Sequence, residues 1–313
     1  NAKELSVRGA FPKLADFEER HGSVLRAVIA AKRGSEPGRQ LFSWSDGIGT
    51  LPGRMAISLG DAVRCGVTVK SIVQDVSGFT IDTFKHGSLR AKSVVLAVQP
   101  HLASELLADL DPLGAQALSE VAAPSVAVAF LGYRRSQVGH PLDGLGFLST
   151  NRPGQIVSGV QFPSTMFSSR APEGHVAISA YVGGSRSSEA AKLPADQLVA
   201  AVCDEIGPIL DIKTPPVVAR VRHWARGLPQ YSIGHRERQI IWQDTYSRAP
   251  RLCLPGTYID GVSVTSCLLR ATEVAEGVSA FLASKVAHHQ QAVSGRSQPV
   301  NVKKSSHGRS TLG

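Results

Sequence analysis

At 313 residues, with 42% hydrophobic and 19% charged side chains, the chain has apolar content for one large or two ordinary domains and too little charge for a disordered protein. No apolar run approaches the ~20 residues that span a bilayer, and the longest, such as Val126 to Leu131, have strand length. Of the formal net charge of +9, five charges (Lys285, Arg296, Lys303, Lys304 and Arg309) sit in an acid-free Ser/Gln/His-rich tail, which reads as a solvated, disordered end rather than a nucleic-acid site.

No interleaving of aromatic and basic residues suggests a base-stacking platform. The opening, Asn1 to Leu5, has neither the regions of a signal peptide nor an initiator Met, and reads as the interior of a longer chain. Cys65, Cys203, Cys253 and Cys267 show no paired spacing, so neither a metal site nor a disulfide framework is expected. They read as small apolar core residues in a reducing compartment.

In chain order, Leu14, Phe17, His21, Leu25 and Val28 share one helical face, ended by Gly34 to Arg39. His21 reads as a packed helix residue, since no second ligand lies at a suitable spacing. Leu41 to Trp44 predicts a short strand, and Pro52 sits in the first turn of a helix through Met55, Ile57 and Leu59. A strand at Val67 to Val69 and a hairpin over Gly78 to Ser88 follow. Ser93 to Val98 is apolar throughout, the mark of a parallel strand buried on both faces, and Pro100 opens a helix.

From Val121 to Trp242 the pattern is mostly strand, at 126–131, 146–148, 156–162, 175–182 and 217–224. One helix, through Leu198, Val202 and Ile206, interrupts it, which suggests a mixed sheet with helices on one face. A strand at Leu252 to Leu254, a glycine-flanked loop from Gly256 to Gly261 and a helix through Leu268, Val274 and Phe281 close the ordered part. Thr265 and Ser266 read as caps of that helix.

That last strand–loop–helix is the strongest local signal for chemistry. A helix amino terminus exposes unpaired amides and partial positive charge, suited to phosphate or an electron-rich ring edge. An ordinary capped helix explains the same residues. Gly47-x-Gly49 is not a dinucleotide fingerprint, because Pro52 stands where the third glycine belongs.

Several segments, in order, resemble the protoporphyrinogen oxidase family and its coproporphyrinogen-oxidising bacterial relatives. They are Leu5 to Pro12, Phe42 to Pro52, Val94 to Pro100, His140 to Phe147, Phe167 to Gly174, Gly183 to Arg186, Trp224 with Pro229 to His235, and Tyr258 to Cys267. Pro229-Gln230-Tyr231-x-x-Gly234-His235 and Tyr258-x-Asp260-Gly261-Val262 are the most specific. Asp46 and Thr265-Ser266 depart from the family pattern.

The resemblance implies an α/β fold: part of an FAD-binding doubly wound domain, of glutathione-reductase-like amine oxidase type, with an inserted α+β substrate domain. It implies boundaries at 1–40 (helical part of the substrate domain), 41–105 (FAD-binding domain), 106–245 (substrate domain with a mixed sheet), 246–284 (FAD-binding domain) and 285–313 (tail). FAD is the implied cofactor, contacted by Val69, Trp224 and the backbone of Val262, Ser263, Val264, Thr265, Ser266 and Cys267. Arg170 and Arg186 are candidates for the carboxylates of a porphyrinogen substrate. His235 reads as structural, and no catalytic acid or base and no metal is assigned. The implied reaction is porphyrinogen oxidation with oxygen as acceptor, in a cytoplasmic protein with peripheral inner-membrane contact and a homodimeric state as options. Without the amino-terminal Rossmann unit of that family, FAD is expected to bind weakly or not at all. The competing readings are another flavin amine oxidase or carotenoid-desaturase relative, and a non-catalytic tetrapyrrole-binding remnant.

Overall fold

A computed structural model of the chain describes residues 4–31, 41–150, 152–259 and 261–294. The segment Gly34–Arg39, Asp260 and the tail beyond Ser294 lie outside the described residues. Three helices open the chain: α1 (Val7–Ala10), α2 (Pro12–His21) and α3 (Val24–Ala31). The expected single helix is divided at Gly22, which adopts φ 65° and donates its amide to the Glu18 carbonyl. His21 is exposed there rather than packed. Ser6 caps α1 through the Gly9 amide (3.1 Å) and donates its own amide to Tyr231 (2.7 Å), which seats α1 on the 231–235 segment.

The expected strand at Leu41 to Trp44 is instead an open loop in which Phe42 and Trp44 meet edge-on at 6.0 Å. α4 (Thr50–Leu59) follows with Pro52 in its first turn. The hairpin region is a three-stranded antiparallel meander of β1 (Val69–Asp75), β2 (Gly78–Thr83) and β3 (Ser88–Ala91). β4 (Val94–Val95), α5 (Pro100–Leu107) and α6 (Pro112–Ser119) complete this part. Val94 and Leu96 are buried, but Val95 is 42% and Val98 37% exposed, so among the described residues β4 is covered on one face only.

The largest sheet uses β5 (Val126–Arg134), β6 (Gly146–Leu148), β7 (Val157–Gln161), β8 (His175–Gly183) and β9 (Val218–Trp224), in the order β6-β7-β8-β5-β9. α7 (Pro163–Met166) links β7 to β8, and α8 (Ala195–Leu210) links β8 to β9. Every pairing is antiparallel, which corrects the mixed sheet expected from the pattern. Two of the sheet's four connections, β6 to β7 and β7 to β8, join neighbouring strands, and only parallel neighbours demand a crossover. One face, with Ala127, Ala129, Leu131, Ile178, Ala180 and Val182, packs on Leu198, Val202, Ile206 and Leu210 of α8. Gly183 ends β8 at φ 102°, where a Cβ would strike the Ser125 carbonyl.

The chain returns through α9 (His235–Gln243), α10 (Thr245–Arg248), β10 (Leu252–Cys253) and α11 (Val264–Ser294). β10 lies parallel to β4, so the antiparallel sheet is inserted between two neighbouring strands. α11 runs to Ser294, past Lys285, where a disordered tail was expected to begin. A second core joins Phe79, Leu107, Leu118, Trp242, Leu252 and Tyr258. Cys203 and Cys253 are half-buried, whereas Cys65 and Cys267 are exposed rather than core residues.

Asp111, 2% exposed, ties this core together. It accepts from Arg248 Nε and Nη2 (2.7 and 2.8 Å), from Thr245 (2.8 Å) and from the Gly114 amide (3.1 Å). Burial opposes its ionisation, but the Arg248 guanidinium and these donors win, and the carboxyl is held below its ordinary range. A depressed carboxyl contributes stability above its unfolded pKa and loses it as pH falls through the folded one. Asp111→Asn should therefore cost about 3 kcal/mol at neutral pH and show a flatter acid limb than the parent, read by denaturant unfolding from pH 7 down to pH ~3. Gly183→Ala should cost about 2 kcal/mol by the same assay, from overpacking and left-handed strain.

Candidate functional site

Two concave regions stand out, one in each half of the fold. The first lies outside the carboxyl ends of β4 and β10, where open α/β sheets bind ligands. The strands continue into Ala97–Gln99 and Pro255–Thr257, and α11 crosses beside them. Together they enclose about 690 Å3 lined by Val95, Val98, Pro255, Thr257, Cys267 and Ala271, among others.

At the start of α11 the cap is Ser263, not Thr265 or Ser266. Its Oγ accepts the Ser266 amide (3.0 Å) and its carbonyl accepts the Cys267 amide (3.1 Å). Two of the expected amide donors are thus used inside the protein. The amides of Val262, Ser263, Val264 and Thr265 make no hydrogen bond among the described residues, and these side chains are exposed. A slot beside Cys267 and unpartnered amides just before it fit the edge of a flat, electron-rich ring. Val69 packs into the second core and Trp224 lines a separate hollow with Pro124, His223 and Arg226, so neither shares this cavity.

The second region is a cleft of about 780 Å3 on the outer face of the antiparallel sheet, covered by the 41–49 loop. Register explains its lining. Ser179, Phe130 and Arg220 are mutual partners across β8, β5 and β9, as are Tyr181, Val128 and Arg222 one step along. Residues so paired share a face. Ala219 and Val221 of β9 point instead to the α8 core. Tyr181 donates to Gln161 (2.6 Å), and Arg170 reaches the cleft from the β7–β8 connection.

Arg170 Nη2 donates to Ser43 Oγ (2.6 Å) and the Trp44 carbonyl (3.1 Å), while its guanidinium lies over Phe167 at 5.6 Å. It thereby fixes the loop that roofs the cleft. Arg170 and Arg220 both line this space, and among the described residues no Asp or Glu does. Arg186 is exposed just beyond the far end of β8, roughly 27 Å from that strand's start by the rise of a strand, so the structure does not bring it to Arg170. Arg220, Phe130 and Tyr181 are the residues the sequence reading missed. The alternation in Val218-Ala219-Arg220-Val221-Arg222 carried the signal, with arginines at every second place.

His235, in the Pro-Gln-Tyr-x-x-Gly-His segment, is fully buried and structural. Its ring stacks on Tyr231 at 4.2 Å, meets Trp242 edge-on at 5.6 Å and touches the Gly9 position of α1. The Tyr231 hydroxyl donates to the Thr257 carbonyl, tying this aromatic group to the first cavity's loop. Burial, and then the nearby Arg238 charge, pull the imidazole pKa down to about 4. Its folded pKa lies below the unfolded one, so the unfolded chain binds the extra proton between them and stability falls as pH drops. His235→Phe should remove an acid destabilisation of at most roughly 3 kcal/mol between pH ~6.5 and ~4, measured by urea unfolding at several pH values.

The profile of the flavin containing amine oxidoreductases matches residues 1–279. The chain belongs to that family, and so to a class of FAD-dependent oxidoreductases. It is 29% identical to the chloroplastic protoporphyrinogen oxidase of Nicotiana tabacum, over 89% of this chain and 56% of that protein. It is 25% identical to the coproporphyrinogen III oxidase of Propionibacterium freudenreichii, over 94% and 62% respectively. A crystal structure from Exiguobacterium sp. 255-15, provisionally described as a protoporphyrinogen oxidase, superposes with a TM-score of 0.76 at 22% identity, covering 89% of this chain and 60% of that one. The chain thus spans little more than half the length of the curated plant relatives it matches. Among the described residues no helix is long and apolar enough to cross a membrane, and no group of three or more His, Cys, Asp or Glu could hold a metal ion.

Proposed function

We propose that this chain belongs to an enzyme that oxidises a porphyrinogen to a porphyrin, with dioxygen as final acceptor. The observation that carries this reading is the cleft on the outer sheet face, which no Asp or Glu lines among the described residues and where Phe130 and Tyr181 accompany the guanidiniums of Arg170 and Arg220. A flat macrocycle with acidic arms needs that combination: apolar area for its faces and paired N–H donors for its carboxylates. At about 780 Å3 the cleft lies within the range of pockets that bury ligands of this class. The names of the relatives from tobacco and Propionibacterium point the same way.

The first cavity fits the isoalloxazine edge of FAD, with Val262 to Thr265 offering amides and Cys267 on the wall. When bound there, FAD supplies the hydride-accepting chemistry. The protein's part is to hold the substrate. Arg170 keeps the 41–49 loop over the cleft through Ser43 and Trp44, which limits water, and it retains guanidinium N–H groups for a carboxylate. Arg220 offers a second point of attachment from β9, and the Phe130 and Tyr181 rings supply apolar area for a macrocycle's face.

The test is porphyrin binding followed by turnover. Titration with protoporphyrin IX should shift the Soret band. Arg170→Ala should weaken that binding about tenfold, while Arg170→Lys restores part of it, as expected for a charged hydrogen-bond donor. With FAD added, porphyrin fluorescence should grow from a porphyrinogen faster than in the protein-free control. Binding without acceleration by the FAD-loaded chain would favour a tetrapyrrole carrier, and absence of both would sink the proposal.

A further inference from the structure

The porphyrinogen reading leaves the choice between two- and four-carboxylate substrates open, and β9 bears on that choice. Arg220 and Arg222 project from the outer face of this edge strand two residues apart, so their Cα atoms are roughly 7 Å from each other. Both are exposed, and neither has a carboxylate within 4 Å among the described residues. Arg222 lies over the Trp224 ring at 5.9 Å, which holds it along the face rather than loose in solvent. Arg220 lines the cleft, and Arg222 is the next outward position along the same strand, beyond the cleft's rim. Arg170 enters from the connection between β7 and β8. Three guanidiniums therefore face one side of the sheet, two lining the cleft and Arg222 beyond its rim, and among the described residues no Asp or Glu lines that cleft.

One carboxylate satisfies one guanidinium through two parallel N–H···O bonds. A macrocycle with two acidic arms can pair at most two of these arginines, so the third, solvated at the rim, adds nothing to its binding. A macrocycle with an acidic arm on every pyrrole can pair all three and keep one arm in water. The side-by-side cations on β9 also repel each other, and two separate carboxylates relieve that repulsion better than one.

We propose that Arg220 and Arg222, together with Arg170, count carboxylates and make the cleft selective for a tetracarboxylate porphyrinogen over a dicarboxylate one. This selectivity rests on the porphyrinogen reading of the cleft, and its test separates the two. The full chain is titrated with coproporphyrin III (four carboxylates) and protoporphyrin IX (two), and the ratio of the two dissociation constants is the readout. The parent should favour the tetracarboxylate by about tenfold or more. Arg222→Ala and Arg222→Gln should each bring that ratio close to unity, and Arg222→Lys should restore part of it through charge alone. Arg186→Ala, which removes an exposed arginine away from the cleft, should leave the ratio as it is. A parent ratio near unity overturns the selectivity. So does a ratio that survives loss of Arg222, or one that falls equally with loss of Arg186. In each of those cases porphyrin binding stands, whereas failure of both porphyrins to bind overturns the underlying reading.

Discussion

The parallel pairing of β4 with β10 brings together residues about a hundred and sixty positions apart, and the first candidate site depends on it. The Val94 amide donates to the Arg251 carbonyl (3.0 Å) and the Leu96 amide to that of Cys253 (2.9 Å). Gln74 binds the Pro250 carbonyl (2.7 Å), Ser93 Oγ the Arg251 carbonyl (2.6 Å) and Arg251 Nη2 the Asp75 carbonyl (3.0 Å), so the meander and β10 are laced to one another. Closing so long a loop costs chain entropy, and the buried Leu252, Leu254, Val94 and Leu96 side chains provide the compensating burial. Once closed, the pair places the 255–257 loop and the start of α11 beside Val95 and Val98, which creates the first cavity.

The inserted antiparallel sheet separates two tasks between its faces. Its inner face is aliphatic and committed to α8, so the strands cannot shift register without exposing that entire set. The same period of two then fixes Phe130, Tyr181, Arg220 and Arg222 outward. A rigid core on one side is what allows a precise, polar and aromatic surface on the other. After the sheet, Tyr231, whose ring stacks on buried His235 and whose hydroxyl donates to the Thr257 carbonyl, fixes the returning chain against the first cavity's loop.

Much of the fold was legible because its signals are local. Richness in β-forming residues marked all five strands of the large sheet, and the four-residue spacing of Leu198, Val202 and Ile206 marked α8. Misreadings came where a tertiary partner decides. Leu41 to Trp44 has strand composition, yet it is held as a loop through Ser43 and Trp44 by Arg170, more than a hundred residues away. Thr265 and Ser266 are good cap residues by type, but Ser263 stands one place before the helix and takes the role. Arg186 and Arg170 look equivalent in sequence and are parted by the length of β8.

By itself the sequence determined most of the strands and helices, and that its motifs resemble those of porphyrinogen-oxidising flavoproteins. These follow from backbone period and side-chain type, which act over a few residues. Only the tertiary structure decided that the sheet is wholly antiparallel, that Arg220 rather than Arg186 shares a cleft with Arg170, and that the cavity beside Cys267 lies at the end of a parallel strand pair. Those depend on which distant segments pay the entropy of meeting, and pairing energy between strands is set by their partners rather than by either strand alone.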